Sequence, residues 1–106
     1  MARRNVESSL DVLVRALCLD YSRRERAIAE RSVSHRTDTE FRYYNFKIYD
    51  AAAEIAGPEL AEVYIDEIGK RTGYANSKLE FESEATYKNM KKKIKENIAR
   101  KLHLCD

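Results

Sequence analysis

The sequence predicts an all-α protein, a single domain over residues 1–106 built as a bundle of about four helices. Three observations carry that prediction. Only three Gly and one Pro interrupt 106 residues, too few for the many tight turns of a β-sandwich or barrel. Hydrophobic residues make up 43% and charged residues 36%, and a chain of this length builds one core, not two. Apolar side chains also recur at three- and four-residue spacing over most of the chain, which is the period of an amphipathic helix.

Residues 5–31 set Val6, Leu10, Leu13, Leu17, Tyr21 and Ile28 on one stripe, widened by Val14, Cys18 and Leu19. That pattern predicts one long helix with an apolar first half. Its second half, Ser22-Arg23-Arg24-Glu25-Arg26, is basic and should project from the core or cap it. Thr37-Asp38-Thr39-Glu40 has the spacing of a capping box, a hydroxyl followed three residues later by Glu, so a second helix should start there and run to Ala56. Phe41, Tyr44, Ile48, Ala52 and Ile55 form its main stripe, and Tyr43, Phe46, Tyr49, Ala51 and Ala53 cover most of the remaining circumference. A helix apolar nearly all round belongs in the middle of a bundle.

Gly57 followed by Pro58 closes one helix and opens the next, because Gly accepts positive φ and Pro suits a first helical position. The third helix then covers residues 58–68, with Leu60, Val63, Tyr64 and Ile68 inward and Glu59, Glu62, Asp66 and Glu67 outward. Residues 69–81 lack a clear period and read as an ordered loop pinned by Tyr74, Leu79 and Phe81. Ser83 is a plausible N-cap for a last helix reaching about Leu104. Tyr87, Met90 or Lys91, Ile94, Ile98 and Leu102 face inward there, while Lys88, Lys91, Lys92, Lys93, Lys95, Arg100 and Lys101 form the exposed side.

No apolar run approaches the roughly 18 residues of a membrane span, and the start Met-Ala-Arg-Arg lacks the apolar stretch of a signal peptide. The protein is therefore expected to be soluble, unexported and cytoplasmic, with no membrane partner. Cys18 and Cys105 lie near opposite ends and are read as reduced thiols.

Charge is segregated along the chain. Eight basic side chains face five acidic ones over residues 1–36 (+3), two face four over 37–57 (−2), three face six over 58–82 (−3), and seven face three over 83–106 (+4). The formal net charge of +2 thus hides an acidic middle between two basic ends. If the arginines of the first helix lie beside the lysines of the last, they make a face suited to a polyanion; otherwise they are the solvated surface of an ordinary soluble bundle.

Catalytic constellations are sparse. His35, Asp38 and Glu40 fall close together, but the carboxylates suit capping and no second His or Cys cluster completes a metal site. His103 and Cys105 have no scaffold to orient them as base and nucleophile. No Gly-rich phosphate loop occurs. No enzymatic activity, cofactor or metal is expected. The tyrosines suit the boundary of a core, and exposure of Tyr43 or Phe46 would indicate a subunit interface.

The stretch Ser83-Glu84-Ala85-Thr86-Tyr87-Lys88-Asn89-Met90-Lys91-Lys92-Lys93-Ile94 resembles the recognition helix of small helix-turn-helix regulators of phages and mobile elements, the ArpU-like and sigma-region-4-like groups. The resemblance covers about a quarter of the chain, and residues 69–81 replace the three- or four-residue turn of the motif. It implies that Ser83, Thr86 and Lys88 face duplex DNA, with Lys91, Lys92 and Lys95 on phosphates and Tyr87, Ile94 and Ile98 holding the helix to the core. Arg23, Arg24 and Arg26 are the further expected phosphate contacts. The expected function is therefore a small bacterial or phage-type DNA-binding regulator with double-stranded DNA as partner. The competing expectation is a helical interaction module, a homo-oligomer without nucleic acid, pairing its acidic third helix with a partner's basic fourth. An open lysine face beside residues 23–26 favours the first; a face covered by the third helix's acids favours the second.

Overall fold

The computed structural model describes residues 8–79 and 83–104. Val6, Phe81 and Cys105, each given a role above, lie outside the described residues. The described chain is all-α, as expected, with α1 at Ser9–Leu19, α2 at Tyr21–Glu30, α3 at His35–Ala56, α4 at Pro58–Lys70 and α5 at Glu84–Lys101. None of these helices is long and apolar enough to cross a membrane.

The long first helix is bent at Asp20 into α1 and α2. Ser8 caps α1, its Oγ accepting from the Asp11 N–H at 3.1 Å. Asp20 has φ −91 and ψ 2, and its carboxylate accepts from Arg23 Nε at 2.6 Å. The bend lets one apolar stripe serve two surfaces: α1 packs on α4 and α5, whereas α2 packs chiefly on α3. It also rotates the buried face of α1. Val14 and Cys18 enter the core, while Leu13 and Leu19, expected inward, are exposed. Burial pushes the Cys18 thiol up to about 12, so it is a packing residue and not a reactive one.

Helix α3 begins earlier than its sequence suggests. The Ser34 hydroxyl accepts from the Thr37 N–H at 3.3 Å, so Ser34 is the N-cap and Asp38 falls in the first turn. A hydroxyl three residues ahead of the expected box satisfies the same free amides. The helix is central, as its apolar circumference implies: Ile48, Ala51 and Ala52 are fully buried, and α2, α4 and α5 all pack on it. It is not covered all round, because Tyr43, Tyr44 and Phe46 remain exposed.

Gly57, with φ 91 and ψ 154, occupies backbone space that essentially only glycine visits, and Pro58 opens α4 directly after it. Helix α4 then continues two residues past its expected end. Gly69 lies inside it, and Arg71 takes the left-handed position (φ 58, ψ 37) that ends it. Glu67, expected outward, is only 3% exposed. Its carboxylate accepts from Ser77 Oγ at 2.6 Å, the Lys78 N–H at 2.8 Å and Tyr87 Oη at 2.7 Å.

The connection to α5 carries a 3-10 turn at Tyr74–Asn76 and is pinned, as expected, by buried Leu79 and by Tyr74, whose ring centroid is 5.7 Å from that of Tyr87. Ser83 caps α5, its Oγ accepting from the Thr86 N–H at 3.1 Å. Tyr87, Ile94, Ile98 and Leu102 are buried, so this helix presents the face its period predicts.

Candidate functional site

Helix α5 lies against α3 and so turns its lysines away from the bundle centre. Lys88 and Lys92 stand exposed one turn apart. Lys91 and Lys95, also one turn apart, face a cleft of about 230 Å³ between α1, the end of α4 and α5. Arg15 from α1 and Arg71 from the end of α4 join them there, with Asp11 the only carboxylate among the described lining residues. The floor includes Ile68, and Thr72 and Gly73 complete the rim.

Lys91 is anchored. Its Nζ donates to the Thr72 carbonyl at 2.8 Å and sits 4.9 Å from the centroid of the Tyr87 ring. Burial lowers its pKa first and the neighbouring charge of Lys95 lowers it further, with Glu67 acting in the opposite direction. Like charges one helical turn apart cost about 0.2–0.5 kcal/mol, so the fold tolerates a small repulsion to keep both cations at the cleft.

The expected DNA-contacting residues separate into two groups. Ser83 and Thr86 are exposed at the start of α5, where the Ser83 hydroxyl caps the helix and also donates to Thr86 Oγ1 at 2.8 Å. Lys88 pairs with Glu84 of its own helix at 2.9 Å. No ion pair among the described residues involves Lys92 or Lys95. Among the described residues no acid of α4 forms an ion pair with these lysines, and the ion pairs that α5 makes with other helices run from Lys101 to Asp50 and Glu54 of α3.

The second group sits on α2. Arg23 is exposed, bonded to Asp20, and lies 5.4 Å over the Phe41 ring of α3. Arg26 is exposed. Arg24 must be withdrawn as a phosphate contact. It is 3% exposed; its Nε donates to Asn45 Oδ1 and its Nη2 to the Leu17 carbonyl, both at 2.6 Å. Burial lowers its pKa and Asp20 opposes that shift. Asn45 continues the network, donating to the Tyr21 carbonyl at 3.1 Å and to Glu25 Oε2 at 2.8 Å. Here a guanidinium stitches the α1–α2 bend to α3.

The arginines beside the α5 lysines are thus Arg15 and Arg71, which the sequence does not single out. Arg15 follows Asp11 by four residues on the flank of the Val14–Cys18 stripe, a weak local signal. Arg71 sits in a segment that reads as loop, and only tertiary folding brings it to the cleft.

A separate surface is apolar. Tyr43, Tyr44 and Phe46 are 45%, 38% and 65% exposed on α3, with the two tyrosine rings edge to face at 5.7 Å. Phe46 borders a groove shared with Tyr21, Ile28, Arg42 and Tyr49. Asp38 and Glu40, near His35, are engaged by Arg42 at 2.7 Å and Arg36 at 3.9 Å. Comparison with protein-family models, with curated proteins and with solved structures finds no match for the chain.

Proposed function

We propose that the protein is a small DNA-binding regulator that holds duplex DNA on the open face of α5. Lys88, Lys92 and Lys95 neutralise phosphates, and Ser83 and Thr86 stand at the helix start nearest the groove. The supporting observation is the lysine face of α5, which pairs with no acid of α4 among the described residues. Arg23 and Arg26 would add contacts only where the duplex also reaches α2. A cation that neutralises a phosphate releases a counterion, so the logarithm of affinity falls with the logarithm of salt by about 0.9 per phosphate. Three lysines give an expected slope near −3 for a random duplex. The triple variant Lys88→Glu, Lys92→Glu, Lys95→Glu should abolish binding while thermal unfolding changes little, since none of the three is fully buried. Absence of binding at low salt, or affinity unchanged in the variant, overturns the proposal.

A second function, pairing with a copy of the same chain, is supported by the exposed aromatic surface of α3, because monomers rarely leave such patches bare. A dimer joined there is apolar and should resist salt, whereas one joined by opposite charges weakens as salt rises. Sedimentation at two protein and two salt concentrations separates these cases. Phe46→Glu should convert the first kind of dimer to monomer without unfolding it, and a wild-type chain that is monomeric throughout excludes both.

A further inference from the structure

Helix α3 carries Arg36, Glu40, Tyr43, Lys47 and Asp50 at steps of four, three, four and three residues, so all five lie on one stripe of the helix. Their signs run plus, minus, aromatic, plus, minus. About Tyr43 every charge has its opposite at the mirrored place, so the stripe is complementary to a reversed copy of itself. We propose that two copies of the chain pair through α3, antiparallel about a two-fold axis at Tyr43, with Glu40 of each against the partner's Lys47 and Arg36 against the partner's Asp50. The inference deepens the second function above and rests on it for assigning the aromatic surface to a second copy.

One register serves both charge pairs. Arg36 and Asp50 stand seven residues either side of Tyr43, and Glu40 and Lys47 stand three and four residues from it. The mismatch is one residue, about 1.5 Å of helix rise, which these long side chains absorb. A two-fold axis also sets each flank of the stripe against the same flank of its copy. Glu40 and Lys47 share one flank and therefore meet. Phe46, 65% exposed, lies on the other, beside the groove it shares with Tyr21, Ile28 and Tyr49. Pairing gathers both copies' Phe46 on one side of the two helices, where their apolar surface leaves water.

The charges are accessible for this use. The side chains of Arg36 and Glu40 are 91% and 57% exposed and form only a loose pair at 3.9 Å. Lys47 Nζ lies 5.7 Å from the Tyr43 ring centroid, so it already stands beside the proposed axis. Asp50 shares Lys101 with Glu54, which leaves two carboxylates to one ammonium at that end of the stripe. Exposed ion pairs are worth little each. The aromatic centre therefore supplies the attraction and the charges choose the direction, because a parallel pair sets Glu40 on Glu40 and Lys47 on Lys47.

Sedimentation equilibrium of the full chain tests the arrangement. Glu40→Lys alone and Lys47→Glu alone each bring like charges together at two places in the dimer, and each should weaken it about tenfold. Mixing the two single variants in equal amounts should restore wild-type affinity, since one copy then offers two cations to two anions of the other. The double variant Glu40→Lys with Lys47→Glu should restore it as well. Added salt should narrow the gap between wild type and the single variants, because these contacts are screened. A dimer that Phe46→Glu dissociates but neither charge reversal weakens keeps the aromatic interface and overturns the antiparallel arrangement. Weakening that neither the mixture nor the double variant restores overturns it too. A wild-type chain that stays monomeric removes both the arrangement and the function it rests on.

Discussion

Gly69→Ala should lower the melting temperature by about 8 °C or more. A Cβ at this position would lie 2.5 Å from both the Cα and the N of Leu19 and 2.9 Å from the carbonyl carbon of Cys18. All three are backbone atoms, so no side-chain rotation relieves the clash, and α1 must move off α4 by about 1 Å to restore ordinary contact. Ala is favoured over Gly inside a helix by up to about 1 kcal/mol, which opposes the loss. Overpacking against immovable neighbours costs about 1–3 kcal/mol and sometimes more, and separating α1 from α4 also loosens contacts of Val14, Cys18 and Ile68 in the shared core. The clash wins, with a net loss of about 2 kcal/mol, which at this chain length corresponds to the stated shift. Gly73→Ala is the control. Its Cβ meets nothing within 4 Å and its backbone is extended, with φ −83, so its melting temperature should stay within about 2 °C of wild type. Equal behaviour of the two variants in a thermal melt would show that the α1–α4 crossing does not depend on the missing side chain.

Features encoded by neighbouring residues were legible in the sequence. The break at Gly57 and Pro58, the Ser83 cap and the buried stripe of α5 each depend on residues within one or two helical turns, and each lies where the pattern puts it. The central place of α3 follows from its own composition. Features that depend on distant partners were not legible. Gly69 reads as a loop residue because nothing nearby announces that Leu19 will press on it. Glu67 reads as a solvated carboxylate at the edge of a stripe because its partners arrive ten and twenty residues later, on Ser77 and Tyr87. Arg24 reads as surface charge because Asn45 is on another helix.

The same division runs through the cationic surface. The α5 lysines are visible as a run, and their exposure follows from helical geometry alone. The cleft is not visible, since its cations come from three elements, Arg15 on α1, Arg71 at the end of α4, and Lys91 with Lys95 on α5. The sum of charges along a segment also fails to distinguish Arg24, consumed within the fold, from Arg26, left on the surface. A segmental charge count finds where a polyanion could bind; it does not find which cations are free to bind it.

Glu67→Ala should be the most damaging single change to a polar residue, and its effect should depend on pH. The carboxylate ties α4 to the following segment through Ser77 and Lys78 and to α5 through Tyr87. Removing it strands those donors unequally. Tyr87 Oη retains the Thr72 carbonyl at 3.1 Å and the Ser77 hydroxyl can turn, whereas the Lys78 amide is fixed. Each buried group left unsatisfied costs about 1–3 kcal/mol, so a total near 3 kcal/mol and a melting temperature lower by about 12 °C or more are expected. Glu67→Gln keeps an acceptor but sets an NH2 against donors, and should lose about half as much. Burial alone would raise the pKa of Glu67, but the bonds from Ser77, Tyr87 and the Lys78 amide, with the charge of Lys91, hold it below its ordinary value of 4.5. Because the folded pKa is the lower one, the unfolded chain takes up this proton first as pH falls. The contribution is therefore whole above the ordinary value, declines below it, and is lost once the pH passes through the folded value. Urea midpoints measured from pH 7 down to pH 3 should fall more steeply for wild type than for Glu67→Gln, so that the two curves converge in acid. Parallel curves would assign the acid sensitivity of the fold to other carboxylates and leave Glu67 as a packing residue alone.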